Sequence, residues 1–282
     1  MTQLMRNRIV FILVAVGAFV LAFGFGQVAG HKKDATPKDS SKPAPTYSVK
    51  LLDGDVLKDK QPLRFEVLDP KGKVVTEFDT VHEKKLHLIV VEKGDPRVYE
   101  HVHPTMASDG TWSTTLELGP GFYRLYADTK PSGADGQVLT ADFSEPGISA
   151  GMPAFNVRAT DTATVDGYDV ALKADGMAYT FTVTKDGKPV TLQPYLGAGG
   201  HLVGIRTESL DYLHAHAMAA QGNTVGFHVA PGNSGLWVLH LDFQVDGKVH
   251  DATFVRRIEV DGPGSGMGEH MDMGDMEGHD HH

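Results

Sequence analysis

The sequence predicts an all-β chain made of two tandem sandwich domains, and three observations lead there. From Tyr47 onward, short segments rich in Val, Leu, Thr and aromatics alternate apolar with polar residues. Asp-Gly, Pro-Gly and Lys-Gly turns separate them, and no helical periodicity exceeds a turn or two. The chain also repeats itself: Tyr47-Ser-Val-Lys-Leu matches Tyr168-Asp-Val-Ala-Leu, and His87-Leu-Ile-Val-Val matches His201-Leu-Val-Gly-Ile. Likewise Tyr99-Glu-His-Val-His matches Tyr212-Leu-His-Ala-His, and Gly121-Phe-Tyr-Arg-Leu-Tyr-Ala-Asp128 matches Gly235-Leu-Trp-Val-Leu-His-Leu-Asp242. Thirdly, a turn followed by Gly-x-Tyr and alternating apolar residues is how strand F of many immunoglobulin-like sandwiches begins. On that strand Tyr123, Leu125 and Ala127 face the core, as do Trp237, Leu239 and Leu241. Tyr126, Asp128, His240 and Asp242 then take the opposite face.

The elements follow in chain order. Arg6 and Arg8 precede an uncharged apolar run from Ile9 to Gly30. As a helix it spans roughly 33 Å, enough for a bilayer core. Residues 1–30 therefore read as a signal anchor, or as a signal peptide cleaved after Val28-Ala29-Gly30. Either way the rest lies outside the cytoplasm: a single-pass membrane protein, or a secreted one if the signal is cut. Residues 31–46, rich in Lys and Pro, read as a tether. Domain 1 is assigned to 47–145, a linker to 146–164, domain 2 to 165–261 and a disordered tail to 262–282.

Composition narrows the chemistry. With no Cys among 282 residues there is no disulfide, thiolate zinc site, iron–sulfur cluster or blue-copper centre. A net charge of −10 argues against nucleic acid as a partner. Special chemistry falls to the 15 His, the 10 Met and the carboxylates.

Duplication turns one sequence into a two-line comparison. The polar residues identical in both copies are His87/His201, Tyr99/Tyr212, His101/His214, His103/His216 and Asp128/Asp242. In an extended segment the two histidines of H-x-H share a face, their Cα atoms ~6.5–7 Å apart. Both can reach one ion at ~2.0–2.1 Å. A third His from a neighbouring strand and the Asp complete a His₃ or His₃Asp set in each domain, suited to Zn²⁺ or Cu²⁺. Buried histidines bracing loops against a carbonyl or the Asp would persist equally well, and spacing does not decide between the two. His82, within Val-His-Glu-Lys-Lys, reads as an ordinary solvated loop residue.

The tail gathers Met267, Met271, Met273, Met276, His270, His279, His281 and His282 among five acids, with no aromatic or β-branched residue. Thioethers are soft ligands for Cu(I) and imidazoles serve Cu(II), Ni(II) and Zn(II), so the tail reads as a metal-capture segment with copper leading and zinc or nickel next.

In these motifs the chain resembles exported, often actinobacterial, proteins of heavy-metal and copper handling. Those carry immunoglobulin- or cupredoxin-like domains with a His-Leu strand, an H-x-H-P motif and a G-x-Y-R-L-x-A-D strand, here His87-Leu88, His101-Val-His103-Pro104 and Gly121–Asp128. In domain 2, Ala217 replaces the Pro and Val238 the Arg. The resemblance implies metal association; with no serine, cysteine or phosphate-binding constellation, the chain reads as a non-enzymatic metal-binding protein, for copper sequestration or delivery. A copper-dependent oxidase would need an open coordination position. The rival class is a surface interaction module, of unknown protein partner, whose histidines are structural.

Overall fold

The computed structural model describes residues 46–57, 61–147, 158–217 and 220–260. The apolar run, most of the tether and the Met/His-rich tail lie outside these residues. Among the described residues no helix is long and apolar enough to cross a membrane.

The first module contains β1 (Ser48–Leu51), β2 (Leu63–Leu68), β3 (Leu86–Glu92), β4 (Tyr99–Val102), β5 (Thr105–Met106), β6 (Trp112–Thr114), β7 (Gly121–Thr129) and β8 (Gln137–Glu145). They form two sheets, in the orders β1-β2-β6-β5 and β4-β3-β7-β8. The second module contains β9 (Thr162–Val165), β10 (Tyr168–Asp175), β11 (Ala178–Lys185), β12 (Lys188–Pro189), β13 (His201–Arg206), β14 (Tyr212–His216), β15 (Thr224–His228), β16 (Gly235–Val245) and β17 (Lys248–Ile258). Its sheets run β12-β11-β10-β9, with β15 also on β11, and β14-β13-β16-β17. The repeat found in the sequence is thus a repeat of topology: β4-β3-β7-β8 and β14-β13-β16-β17 are the same sheet twice. Both modules are immunoglobulin-like sandwiches with antiparallel pairing throughout these sheets.

Turn chemistry fixes the registers. Asp166-Gly167, Asp186-Gly187 and Asp246-Gly247 each carry two successive positive φ angles between paired strands, the two-residue hairpin geometry that Asp-Gly favours. The first of these corrects the domain boundary. Val165 pairs with Tyr168, so β9 joins the second module although its residues up to 164 read as linker. Thr162 and Thr164 are β-branched and precede a strong hairpin signal, which outweighs the polarity of the segment.

Each sandwich fills its own core. Phe65, Val67, Leu88, Val90 and Leu125 are fully buried in the first, with Phe181, Val183, Leu202, Leu239 and Leu241 buried in the second. At the start of β7 the Tyr123 hydroxyl donates to the Gly119 carbonyl at 2.7 Å, closing a tyrosine corner. In β16 the Trp237 indole N–H reaches the Asn233 carbonyl, also four residues upstream, at 3.3 Å. Tyr123→Phe is expected to cost about 1 kcal/mol and lower the unfolding midpoint by about 2–4 °C, measured by calorimetry.

The opposite faces of β3 and β13 are not solvated. Alternation puts Ile89 and Val91 on the other side of β3 from Leu88 and Val90, and there they form a third cluster with Tyr126, Val203 and Ile205. The two equivalent sheets therefore pack against each other, and the modules meet in a pseudo-two-fold interface inside one compact unit. Its aromatic contacts obey the same symmetry. Tyr99 stacks on His240 at 3.8 Å between ring centroids, and the equivalent pair, Tyr212 and Tyr126, stacks at 4.8 Å.

Candidate metal centre

His87 lies on β3 on the same face as Ile89 and Val91, so strand alternation aims it at the second module rather than at its own core. Backbone pairing sets Asp128 of β7 opposite His87, and His101 of β4 opposite Ile89. The second module repeats this, with Asp242 opposite His201 and His214 opposite Val203. Being on the interface face, all of these side chains meet at one end of the apolar seam between modules.

Within the first module His87 Nδ1 lies 3.1 Å from His101 Nε2 and 3.2 Å from His103 Nε2. Within the second, His201 Nδ1 lies 3.2 Å from His214 Nε2. Among the described residues, two sets bring one nitrogen per ring within 4.8 Å of one another: His87, His101 and His103, and His87, His201 and His214. The first set is the one expected in the first module, while the second draws His87 of the first module to His201 and His214 of the second. A single cluster straddles the interface, because the histidine-bearing faces pack on each other.

The aspartates are also placed differently from the expectation. Asp128 does not complete the set of its own module; its carboxylate accepts from His214 Nδ1 at 2.9 Å and from the Tyr212 hydroxyl at 3.3 Å. Asp242 Oδ2 reciprocally lies 2.6 Å from His101 Nδ1 and accepts from the Tyr99 hydroxyl at 3.4 Å. Each carboxylate points out of its own sandwich and stands behind a histidine of the other module. That is the position of an orienting partner, which holds one ring nitrogen and leaves the other for an ion. His216 is paired with His201 through the backbone of β14, its side chain lying outside the described set. His82, expected as an ordinary solvated loop residue, is in a loop but half-buried beside the cluster. It occupies, with Glu83, two successive left-handed positions (φ 49° and 62°) of a tight turn, which places its ring 5.9 Å from His201 and 6.4 Å from His87. No sequence signal marked it, since the positive φ of His82 and Glu83 belongs to the folded turn.

Protonation suits ligand chemistry. Burial, reinforced by the neighbouring His101 and His214, pulls His87 down to about 4. Burial does the same to His101, to about 4, and burial with the adjoining His101 and His87 pulls His103 to about 3. These rings are neutral at pH 7, each with one bare nitrogen. His87 Nε2 donates to the Val81 carbonyl at 3.2 Å, so its bare nitrogen is Nδ1. With Asp242 ionised, His101 is bare at Nε2. Two lone pairs facing at 3.1 Å call for a positive charge: a metal ion, or without one an added proton. Burial, with the charge of Asp251, does push Asp242 well above the usual carboxylate range. At Asp128 burial also acts upward, but the hydrogen bond and charge of His214 outweigh it and the group is lowered.

The donor set fits a transition ion. Nitrogens bonded at ~2.0–2.1 Å to one tetrahedral centre lie about 3.3 Å apart, close to the 3.1–3.2 Å contacts seen here. A cavity of ≈ 190 Å³ reaches the cluster from solvent, lined by His82, His87, His214 and Asp128 with Lys84 and Lys85 at its wall.

A family model matches residues 42–145 and again 163–260, one copy on each module. The chain belongs to the domain family of unknown function DUF8832. The two DUF8832 copies are the two sandwiches, and the centre lies where the copies meet. No curated protein matches the chain. Solved structures similar to it include a two fibronectin type-III domain segment of chicken tenascin, 9% identical, covering 75% of this chain and 98% of that one with a TM-score of 0.24. Salmonella alpha-2-macroglobulin reacted with methylamine is 14% identical with a TM-score of 0.26, covering 77% of this chain and 15% of its own. The N-terminal Ig1-2 module of the Drosophila receptor protein tyrosine phosphatase DLAR is 5% identical, covering 76% and 100%, with a TM-score of 0.20. Scores at this level carry no weight for either fold or function.

Proposed function

We propose that this is a non-enzymatic, extracytoplasmic metal-binding protein, copper being its leading ion, which holds the ion at the histidine cluster between its two DUF8832 modules. The observation that carries the reading is the convergence of imidazole nitrogens from both modules within 4.8 Å, with a carboxylate behind His101 and another behind His214. Neutral imidazoles suit copper and zinc alike, and the Met/His-rich tail adds the soft thioethers that favour Cu(I). The leading apolar run with Arg6 and Arg8 supports placement outside the cytoplasm. The role that follows is sequestration or delivery, the tail capturing ions and the cluster retaining them.

A second reading has its own observation. The crossed contacts of His101 with Asp242 and of His214 with Asp128 tie the modules together without any metal, as an interaction module with structural histidines would require. Titration of the full chain with Cu(I), Cu(II) and Zn(II) against a micromolar chelator separates the two. The metal reading expects the protein to compete, and to keep competing after alanine replaces the tail histidines and methionines. Failure to compete with any of the three ions leaves the bracing reading standing.

A further inference from the structure

His87, His101, His201 and His214 have all six pairwise ring separations in a narrow range. The centroids lie 5.4 Å apart for His87–His101, 5.6 Å for His87–His201 and 5.5 Å for His87–His214. The others are 5.9 Å for His101–His201, 5.8 Å for His101–His214 and 5.4 Å for His201–His214. Six nearly equal edges define a tetrahedron, with two corners from each module. Four imidazoles bonded to one ion at ~2.0–2.1 Å place their centroids about 5.2 Å apart. Closure needs His101 to swing toward the second module, since the sets within 4.8 Å join His87 to His201 and His214 and, separately, to His101 and His103.

We propose that the cluster takes one tetrahedral ion per chain, on the pseudo-two-fold axis, bonded by His87 Nδ1, His101 Nε2, His201 Nδ1 and His214 Nε2. This rests on the metal-binding reading and specifies its site. The hydrogen bonds already on the structure aim three of these atoms. Val81 holds His87 by Nε2, Asp242 holds His101 by Nδ1, and Asp128 holds His214 by Nδ1. The fourth, His201 Nδ1, is 3.2 Å from His214 Nε2. His103 is the ring left over. It touches the centre at His87 and His101, with centroids 4.9 Å from each, but among the described residues no carboxylate orients it. It suits an ion in transit better than one at rest. An all-imidazole tetrahedron suits Zn²⁺ or Cu⁺, whereas Cu²⁺ prefers a square-planar or tetragonal set. Neither module alone contains the site, so the duplication is part of the ligand sphere.

The test uses the full chain with His270, His279, His281 and His282 replaced by alanine, titrated with Co²⁺ and then with Zn²⁺, ions for which the tail thioethers have little affinity. Expected are an endpoint of one ion per chain, a tetrahedral Co²⁺ visible spectrum, and about four nitrogen neighbours near 2.0 Å in zinc X-ray absorption. His101→Gln and His214→Gln should both weaken binding beyond the roughly 10–100-fold of an outer-shell loss, and His103→Gln by less than about 10-fold. An endpoint of two ions overturns the proposal and leaves the metal-binding reading intact. So does the reverse variant pattern, with His103 essential and His214 dispensable, which is a three-histidine site in the first module. No binding at all overturns both. Stoichiometry and nitrogen count come from the unmutated centre, so a variant that fails to fold does not remove the test.

Discussion

Zinc at 1,000 times its Kd is expected to raise the unfolding midpoint of the chain by about 8–16 °C. A ligand that binds only the folded state stabilises it by about 4 kcal/mol at that concentration, and about 1 kcal/mol moves the midpoint of a chain this size by 2–4 °C. The centre meets the condition because its rings come from β3, β4, β13 and β14, which converge only when both modules are folded and docked. Outside the tail, an unfolded chain offers only His101-x-His103 and His214-x-His216 as local pairs. The same measurement separates this centre from the tail. An ion held by the tail alone binds folded and unfolded chains alike and leaves the midpoint where it was. The check is calorimetry with Zn²⁺ against chelator, on the chain and on His214→Gln. A shift under about 2 °C, or the same shift in the variant, would mean that no ion is held across the interface.

The fold was legible because its signals are local. Asp-Gly turns, alternating strands and the Gly-x-Tyr start of β7 each act within a few residues, and the duplicated motifs mapped onto equivalent strands. The site residues were legible as identities, since the residues that survived duplication unchanged are those now found together: His87, His101, His201, His214 and both aspartates. What the sequence could not tell was the partner of each. Alternation put Asp128, Asp242, Tyr126 and His240 on the face away from the core, and that face meets the other module instead of water. Which sheet lies across a face is a long-range fact with no periodicity of its own. The all-apolar run Leu88–Val91 was the available hint, because a strand with both faces buried loses its alternation. His82 stayed hidden for a different reason: only the turn geometry brings it to the centre.

Without metal, the histidine contribution to stability is expected to fall on acidification, by about 3 kcal/mol for one ring between pH 6.5 and pH 4. His87 and His101 sit at about 4 in the folded chain and His103 at about 3, all below the value of 6.5 they regain when unfolded. In that window the unfolded chain binds more protons, so protonation draws the equilibrium toward it as pH drops. The loss begins near pH 6.5 and levels off between pH 4 and pH 3, where the folded rings take up protons too. One ring moved from 6.5 to about 4 contributes about 3 kcal/mol at full effect. Three such contributions do not add, because His87, His101, His103 and His214 share the same mutual repulsions. Asp242 acts in the opposite sense: burial and Asp251 raise it, so the folded state keeps a proton that the unfolded state has released, and acid favours folding there. Asp128, lowered by His214, loses stability only below the carboxylate range. Guanidinium unfolding in chelator at half-unit steps from pH 7 to pH 3.5 gives the curve, and His101→Gln, which cannot titrate, should flatten part of it. A flat profile down to pH 4 with all loss below it would assign acid sensitivity to carboxylates instead. Saturating metal should hold the rings unprotonated and carry the whole fall to lower pH, since an ion and a proton compete for the same nitrogens.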